Sequence, residues 1–540
     1  MTADLDTRAG ELYAPMGKVL PFRRRGGDGA VGEDRDASRE RSERAADGFA
    51  SSREQFESLV SFMDGTDAAG LDHAGLEERL DRDGRELLRR LLDDHLALRA
   101  IREQRLAQVV GDDEVTRGRV EADHRRVLET VFGEVTVSRM AYRAPGHRNL
   151  HPADAALNLP VERHSHGLRK LAALEAARGS FQDAVDALER ACGQHLAKRQ
   201  VEELAQIAAV DFEDFYHARK PARCKRGDLL VISADGKGIV MRPEALRPKA
   251  ALARARHGPK HPQTRLASAE KSNYKRMAEI GAVYDATPVP RTPADIIASD
   301  QDTERDPIPG PVATNKWLTA SIVNDAGTVI EQALNEAQRR DPKHRRTWVA
   351  LVDGNNHQIQ RIKAGAKARK VKVTIVVDFV HVLEYLWNAA WCFHAARDPA
   401  AEQWVHRQAT AVLNGHARRV AGQIRRKTTT AQLGPINRKI AEEAATYLTR
   451  KAAHLDYPTA LTQGWPIATG IIEGACRHIV KDRMDITGAR WRLTGAEAVL
   501  KLRAIKANGD FDAYWRYHLD QERHHIHQAR YHDHIIPQAA

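Results

Sequence analysis

Four carboxylates in this chain stand where a charge needs a partner. Asp235 closes the apolar run Leu229-Leu230-Val231-Ile232-Ser233-Ala234 and precedes Gly236-Lys237-Gly238. Asp353 closes Trp348-Val349-Ala350-Leu351-Val352, with Gly354 after it, and Asp378 closes Val373-Thr374-Ile375-Val376-Val377. Short apolar runs bounded by turn residues read as strands buried on both faces. A carboxylate left unpaired at the end of such a strand is costly, so each must meet a cation or a donor. The fourth, Glu473, sits in Gly470-Ile471-Ile472-Glu473-Gly474-Ala475-Cys476-Arg477, the layout of a helix N-terminus with Ile472, Cys476, Ile479 and Val480 on one buried face. Each has an ordinary explanation when taken alone. Asp-Gly is a common turn, an acidic residue in a first turn complements the helix dipole, and Glu473 with Arg477 at i,i+4 is a routine surface pair. As a set they read differently, because carboxylates at the C-terminal ends of neighbouring strands converge, and converging carboxylates open to water suit a hard divalent cation.

The elements that must position them follow from the pattern around each. Strands are expected at Met277 to Asp285 and Trp317 to Val323, then a helix near Ile330 to Arg340, the Asp353 strand, a helix near Ile359 to Ala368 and the Asp378 strand. Three strands followed by helix–strand–helix–strand differ from a doubly wound dinucleotide fold, and no Gly-x-Gly-x-x-Gly opens a helix. From about Glu384 to Tyr457 the pattern is helical, with Trp387, Trp391 and Trp404 expected in a helical core. Residues 1–51 are rich in Gly, Arg, Asp and Ser and are expected to be a disordered tail. Residues 52–150 read as helical, with a leucine stripe and a small exposed strand or hairpin from Thr130 to Arg139. Residues 151–222 read as short helices, with Ser180 and Asp183 as caps, Gly193 as a stop and Lys198-Arg199 at the start of the last helix. That arrangement permits a helix-turn-helix reading for DNA, though any helical bundle would share it. Thr494 to Glu497 has the form of a capping box, and His524, His525, His527, His532 and His534 read as a polar surface tail.

Composition narrows the class. The 540 residues carry 84 Lys+Arg against 73 Asp+Glu, a net charge of +11 that favours a polyanionic partner. A basic stretch from Arg242 to Arg276 follows the Asp235 strand. Four cysteines, widely separated, offer neither a disulfide framework nor paired metal-ligand spacing, which fits a reducing cytoplasm. No apolar run approaches a membrane span and the N-terminus lacks a signal peptide's apolar core, so a cytoplasmic, nucleoid-associated protein is expected.

A resemblance rests on four stretches: Ile232 to Gly238, Val349 to Gly354, Asp378-Phe379-Val380-His381 through Trp387, and Gly470 through Met484 to Trp491. Together they resemble the ribonuclease-H-like core of DDE transposases, and most closely bacterial insertion-sequence transposases of the ISKra type. The resemblance implies an α/β fold, helix-dominated overall: a ribonuclease-H-like mixed sheet with an all-α insertion, plus a mainly helical N-terminal region. It divides the chain into core at 223–383, insertion at 384–462, core with the catalytic helix at 463–508, and a C-terminal helix and tail at 509–540. It implies Asp235, Asp353 and Glu473 as the catalytic, metal-holding triad, with Asp378 the alternative second Asp. Asp378 with His381 resembles the C/D-x-x-H element that supports the second Asp in related transposases. Two Mg²⁺ ions, with Mn²⁺ as substitute, would serve strand cleavage and 3′-hydroxyl transfer. Arg477, Lys481, Lys198 and Arg199 would contact DNA at transposon ends and target, and a homodimer or higher assembly on DNA is expected. A structure-selective nuclease on the same core, or an inactive DNA-binding regulator, are the alternatives.

Overall fold

The computed structural model describes residues 47–221, 224–248, 251–252, 275–297, 306–486 and 488–538. The expected tail up to position 46 and most of the basic stretch after Asp235, including Arg254, Arg256, Lys260, Arg265 and Lys271, lie outside the described residues. The chain divides into two units, Met1–Phe215 with Asp512–Ala540, and Tyr216–Phe511. Among the described residues no helix is long and apolar enough to cross a membrane.

The first unit opens with α1 (Ala50–Asp64) and the long α2 (His73–Arg102), so Ala50 and Ser51, expected in the tail, are already helical. Asp72 starts α2 by accepting from the Gly75 N–H at 2.8 Å. Of the leucine stripe, Leu96 is buried while Leu80, Leu88 and Leu91 stay exposed. The hairpin is larger than the sequence suggests: β1 (Arg119–Thr130) and β2 (Gly133–Arg143) meet at a turn after Thr130. It is not an exposed element, since Leu128, Val135 and Val137 pack with Leu96. β1 was hard to see because its charged residues and a register shift between Glu121 and His124 hide the alternation. Then come α3 (His166–Arg178), α4 (Phe181–Cys192) and α5 (Lys198–Ile207). Ser180 and Asp183 form the reciprocal capping box, and Gly193 ends α4 with φ of 68°. The histidine-rich end is not a surface tail throughout: it continues the helix Phe511–Glu522 as a π-helical turn, and His527 is buried with its ring on the Leu159 carbonyl at 2.8 Å.

The second unit is built on one mixed sheet. Its strands are β3 (Leu229–Val240), β4 (Lys275–Ala286), β5 (Ala313–Ser321), β6 (Trp348–Val352) and β7 (Val373–Val377), in the order β5-β4-β3-β6-β7. β3 and β4 form a long antiparallel hairpin, β5 continues it, and β6 and β7 add in parallel. The parallel connections need crossovers, which α6 (Ala326–Arg340) and α7 (Asn356–Ala368) supply. All five residues of β6 are buried, as are the first six of β3. Asp235 is not at the end of its strand: β3 runs on to Val240, paired with β4 alone, because its parallel pairing with β6 ends at Ser233 opposite Leu351.

Helices α8 (Phe379–Phe393), α9 (Pro399–Leu413), α10 (Ala417–Thr430) and α11 (Pro435–Lys451) follow. Trp404 is buried there, but Trp391, expected in the core, is exposed and stacks on Trp387 with ring centroids 5.2 Å apart. The chain returns to the sheet through Gly464, whose φ of 72° and missing side chain let it lie against the backbone of Val289. A Cβ there would come within 2.4 Å of the Val289 nitrogen, so Gly464→Ala is expected to lower stability by about 1–3 kcal/mol in denaturant titration. Next are α12 (Gly470–Ala475), a π-helical turn (Cys476–Lys481) and α13 (Leu493–Ala507). The capping box read at Thr494 does not form. Arg492 is the N-cap, and Glu497 instead accepts from the Ser321 hydroxyl and the Ile322 N–H at the end of β5, each at 2.8 Å.

Candidate active site

Strand order sets the three aspartates on neighbouring segments. Ser233 lies opposite Leu351 in the parallel pair β3–β6, and Val352 opposite Val377 in β6–β7. Asp235 follows two residues after Ser233, while Asp353 and Asp378 each come directly after the last residue of β6 and β7, three neighbouring strands spaced about 4.8 Å apart. Asp235 points to the same face of β3 as Ser233, by the two-residue alternation of a strand.

The helix carrying Glu473 reaches the outer two of these aspartates. Its N-cap Thr469 does not cap the helix with its side chain; the hydroxyl lies 2.5 Å from Asp378 Oδ2 and 3.3 Å from Glu473 Oε1. At the other end the Cys476 thiol donates to Asp235 Oδ2 at 3.1 Å. Seven residues of helix rise about 10.5 Å, close to two strand spacings, so the segment from Thr469 to Cys476 spans from β7 to β3 with Glu473 between. The π-helical turn begins at Cys476, a feature often found at functional sites, and it breaks the α-helical register beyond Glu473. Arg477 therefore does not form the expected pair with Glu473. It is exposed and sits 4.0 Å from Asp482, while Lys481 is exposed on the same turn.

Electrostatics in the cluster point the same way. Partial burial raises the Glu473 carboxyl above its ordinary range, and the charges of Asp378, Glu384 and Asp235 raise it further, against a lowering by Thr469. The single Thr469 hydrogen cannot be donated to both carboxylates at once, and the hydroxyl lies closer to Asp378. Burial, then the Asp235 charge, push the Cys476 thiol up, which keeps it a donor to Asp235. Asp378 is 1% exposed and also caps α8, accepting from the Val380 N–H at 2.9 Å. Thr469→Val would leave that buried carboxylate short of a donor and is expected to lower stability by about 1–3 kcal/mol, read by thermal and denaturant unfolding.

Asp353 faces a different neighbourhood. Its Oδ1 accepts from the Asn355 N–H at 2.8 Å, and its carbonyl accepts from the Tyr447 hydroxyl at 3.0 Å. Gly354, with φ of 96°, leaves room for that tyrosine: a Cβ would lie 2.9 Å from its oxygen. Asp353 lines a cavity of about 610 Å³ with His381 and Tyr385 of α8 and with Tyr447, Arg450 and Lys451 of α11. Tyr385 and Tyr447 stack at 3.9 Å. His381 turns to Glu384, 3.4 Å away, rather than to Asp378. Burial, Tyr385, Asp353, Asp378 and Glu384, in that order, raise the Tyr447 phenol, so Asp378 and Glu384 act on both Tyr447 and Glu473.

The donor set is one of hard oxygens, which fits Mg²⁺ or Mn²⁺ and not a soft metal. Among the described residues no three His, Cys, Asp or Glu side chains already stand as a metal-holding group. Thr469, Cys476 and Glu384 were not picked out from the sequence. Thr469 and Cys476, at −4 and +3 from Glu473, share its helical face, and that spacing was the available signal. In the other unit, Lys198 and Arg199 are exposed at the start of α5, with Arg199 paired to Glu203 at 2.8 Å. Neither a protein-family model nor a curated protein matches the chain.

Proposed function

We propose that this protein is a DDE transposase with a ribonuclease-H-like core, binding transposon-end DNA and catalysing divalent-metal-dependent strand cleavage and 3′-hydroxyl strand transfer. The observation that carries the reading is the helix segment Thr469–Cys476, which touches Asp378 at one end and Asp235 at the other with Glu473 between. The strand order β5-β4-β3-β6-β7, with helical residues between β7 and α12, agrees with the resemblance in the sequence.

In this reading Asp235, Asp353 and Glu473 hold the metal. Asp353, which follows the last residue of the middle strand β6, would supply the second carboxylate. Asp378, buried and already bonded to Thr469 and the Val380 N–H, holds the helix in place as a supporting residue. Mg²⁺ would supply Lewis acidity and an activated water for in-line phosphoryl transfer. This chain's residues set the carboxylate spacing, with Thr469 and Cys476 orienting the outer two. Arg477 and Lys481, exposed on the π-helical turn, are the cations placed to meet DNA backbone. The excess of basic residues makes binding strongly salt-dependent, and a dimer or larger assembly on DNA is part of the proposal.

The test is incubation of the full-length protein with candidate end DNA and Mg²⁺ or Mn²⁺, scoring release of 3′-hydroxyl ends and their joining to a target duplex. Cleavage with joining is expected. Cleavage that never proceeds to joining would replace the transposase with a nuclease on the same core, and metal-independent DNA binding without any nicking would leave a regulator.

A further inference from the structure

A second cavity, in the unit Met1–Phe215 with Asp512–Ala540, gathers positive charge from segments far apart in the sequence. Its volume is about 390 Å³, within the roughly 300–1,000 Å³ of small-ligand pockets. Arg126 comes from β1, Arg139 from β2, Arg148 from the loop after β2, and Arg530 from the C-terminal turn. Asp154 is the one carboxylate among the described residues lining it, and it is already engaged by Arg139 Nε at 2.9 Å. Glu162 and Asp112 attract Arg126 and Arg530 from outside the lining, and an Arg126 nitrogen donates to the Glu162 carbonyl at 2.6 Å.

Arg139 is buried and Arg126 and Arg530 are half-buried beside one carboxylate that is already paired, an arrangement a counter-charge would stabilise, and the exposed Arg148 adds a fourth guanidinium at the rim. Burial lowers Arg126 and Arg530 from the ordinary arginine range, and Arg148 lowers Arg530 further. Burial pulls the histidines at the wall, His151 and His527, towards their neutral form, so the positive charge there comes from the arginines. His151 Nε2 lies 3.2 Å from His124 Nδ1, so one ring must accept from the other, and burial pulls His151 down to about 4. A planar guanidinium offers paired N–H groups that match phosphate oxygens, and several from different directions enclose one.

We propose that this cavity binds a phosphoryl group, carried by a free phosphate-bearing ligand or by the phosphodiester of a nucleic acid. The inference is independent of the carboxylate cluster and of any strand cleavage there.

The test is titration calorimetry and thermal unfolding of the full-length protein with inorganic phosphate, inorganic pyrophosphate, and a short single-stranded DNA with and without a 5′-phosphate. Saturable binding is expected, weakened about tenfold or more in Arg148→Glu, whose side chain is exposed while its carbonyl keeps the contact from Arg117 Nε at 2.9 Å. Arg530→Gln provides a second variant, and unliganded unfolding of both verifies that the fold persists. Binding of the inorganic anions and of DNA, both sensitive to Arg148→Glu, supports recognition of the phosphoryl group as such. Sensitivity seen for DNA alone assigns the site to a nucleic-acid backbone. Absence of saturable binding by every probe, or binding that Arg148→Glu leaves unchanged, would overturn the proposal.

Discussion

Asp235→Asn is expected to abolish Mg²⁺-dependent strand cleavage, with a loss of at least about a thousandfold, while DNA binding stays within about twofold. The change is nearly isosteric, and the amide oxygen can keep one of the two contacts that hold the side chain now, the Cys476 thiol on Oδ2 at 3.1 Å or the Gly236 N–H on Oδ1 at 2.7 Å. What disappears is the charge that would hold the cation, and a metal's share in phosphoryl transfer is several kcal/mol of barrier. Glu473→Gln should behave alike. The strand-end pair then separates the roles: Asp353→Asn is expected to match Asp235→Asn in activity with little change in stability. Asp378→Asn should cost stability first, because its carboxylate is buried between Thr469 and the N-terminus of α8. Full activity in Asp353→Asn beside a dead, well-folded Asp378→Asn would exchange the two assignments.

The second large effect lies in the other unit. Arg169 is fully buried and pairs with Glu522 through both guanidinium nitrogens, at 2.9 and 2.5 Å, with His518 and Asp211 extending the network. Breaking one partner of a buried pair strands the other charge, so Glu522→Gln is expected to destabilise this unit by about 3–5 kcal/mol. Burial raises the Glu522 carboxyl, but the Arg169, His518 and His166 charges and the Arg169 hydrogen bonds outweigh it and hold it below the ordinary range. A carboxyl lowered in the folded state contributes stability that is complete above its unfolded value near 4.5 and is lost as pH falls through the folded value. Denaturant unfolding across that acid range should show wild type losing stability towards the variant, with the gap widest at neutral pH.

Much of the sheet could be read from the chain because β3, β6 and β7 are apolar runs with both faces covered, and such runs have few alternative structures. Asp235 was misjudged as a strand end since the hairpin β3–β4 continues past the point where β6 leaves, and pairing partners are invisible to local composition. Glu473 was legible as a helix residue, but not the π-helical turn that parts it from Arg477. The hydroxyl of Thr469 serves Asp378, a contact across 91 positions that no spacing encodes. The same holds for Arg126, Arg139, Arg148 and Arg530, ordinary surface-looking arginines until folding brings them to one cavity.

The most direct measurement is to load the protein with Fe²⁺ in place of Mg²⁺ and map the backbone positions cut by locally generated hydroxyl radicals. Cuts clustered around Asp235, Asp353 and Glu473, suppressed by excess Mg²⁺ and absent in Asp235→Asn, are expected. Cutting that never falls at these segments together, or that persists unchanged in the variant, would contradict a shared metal site.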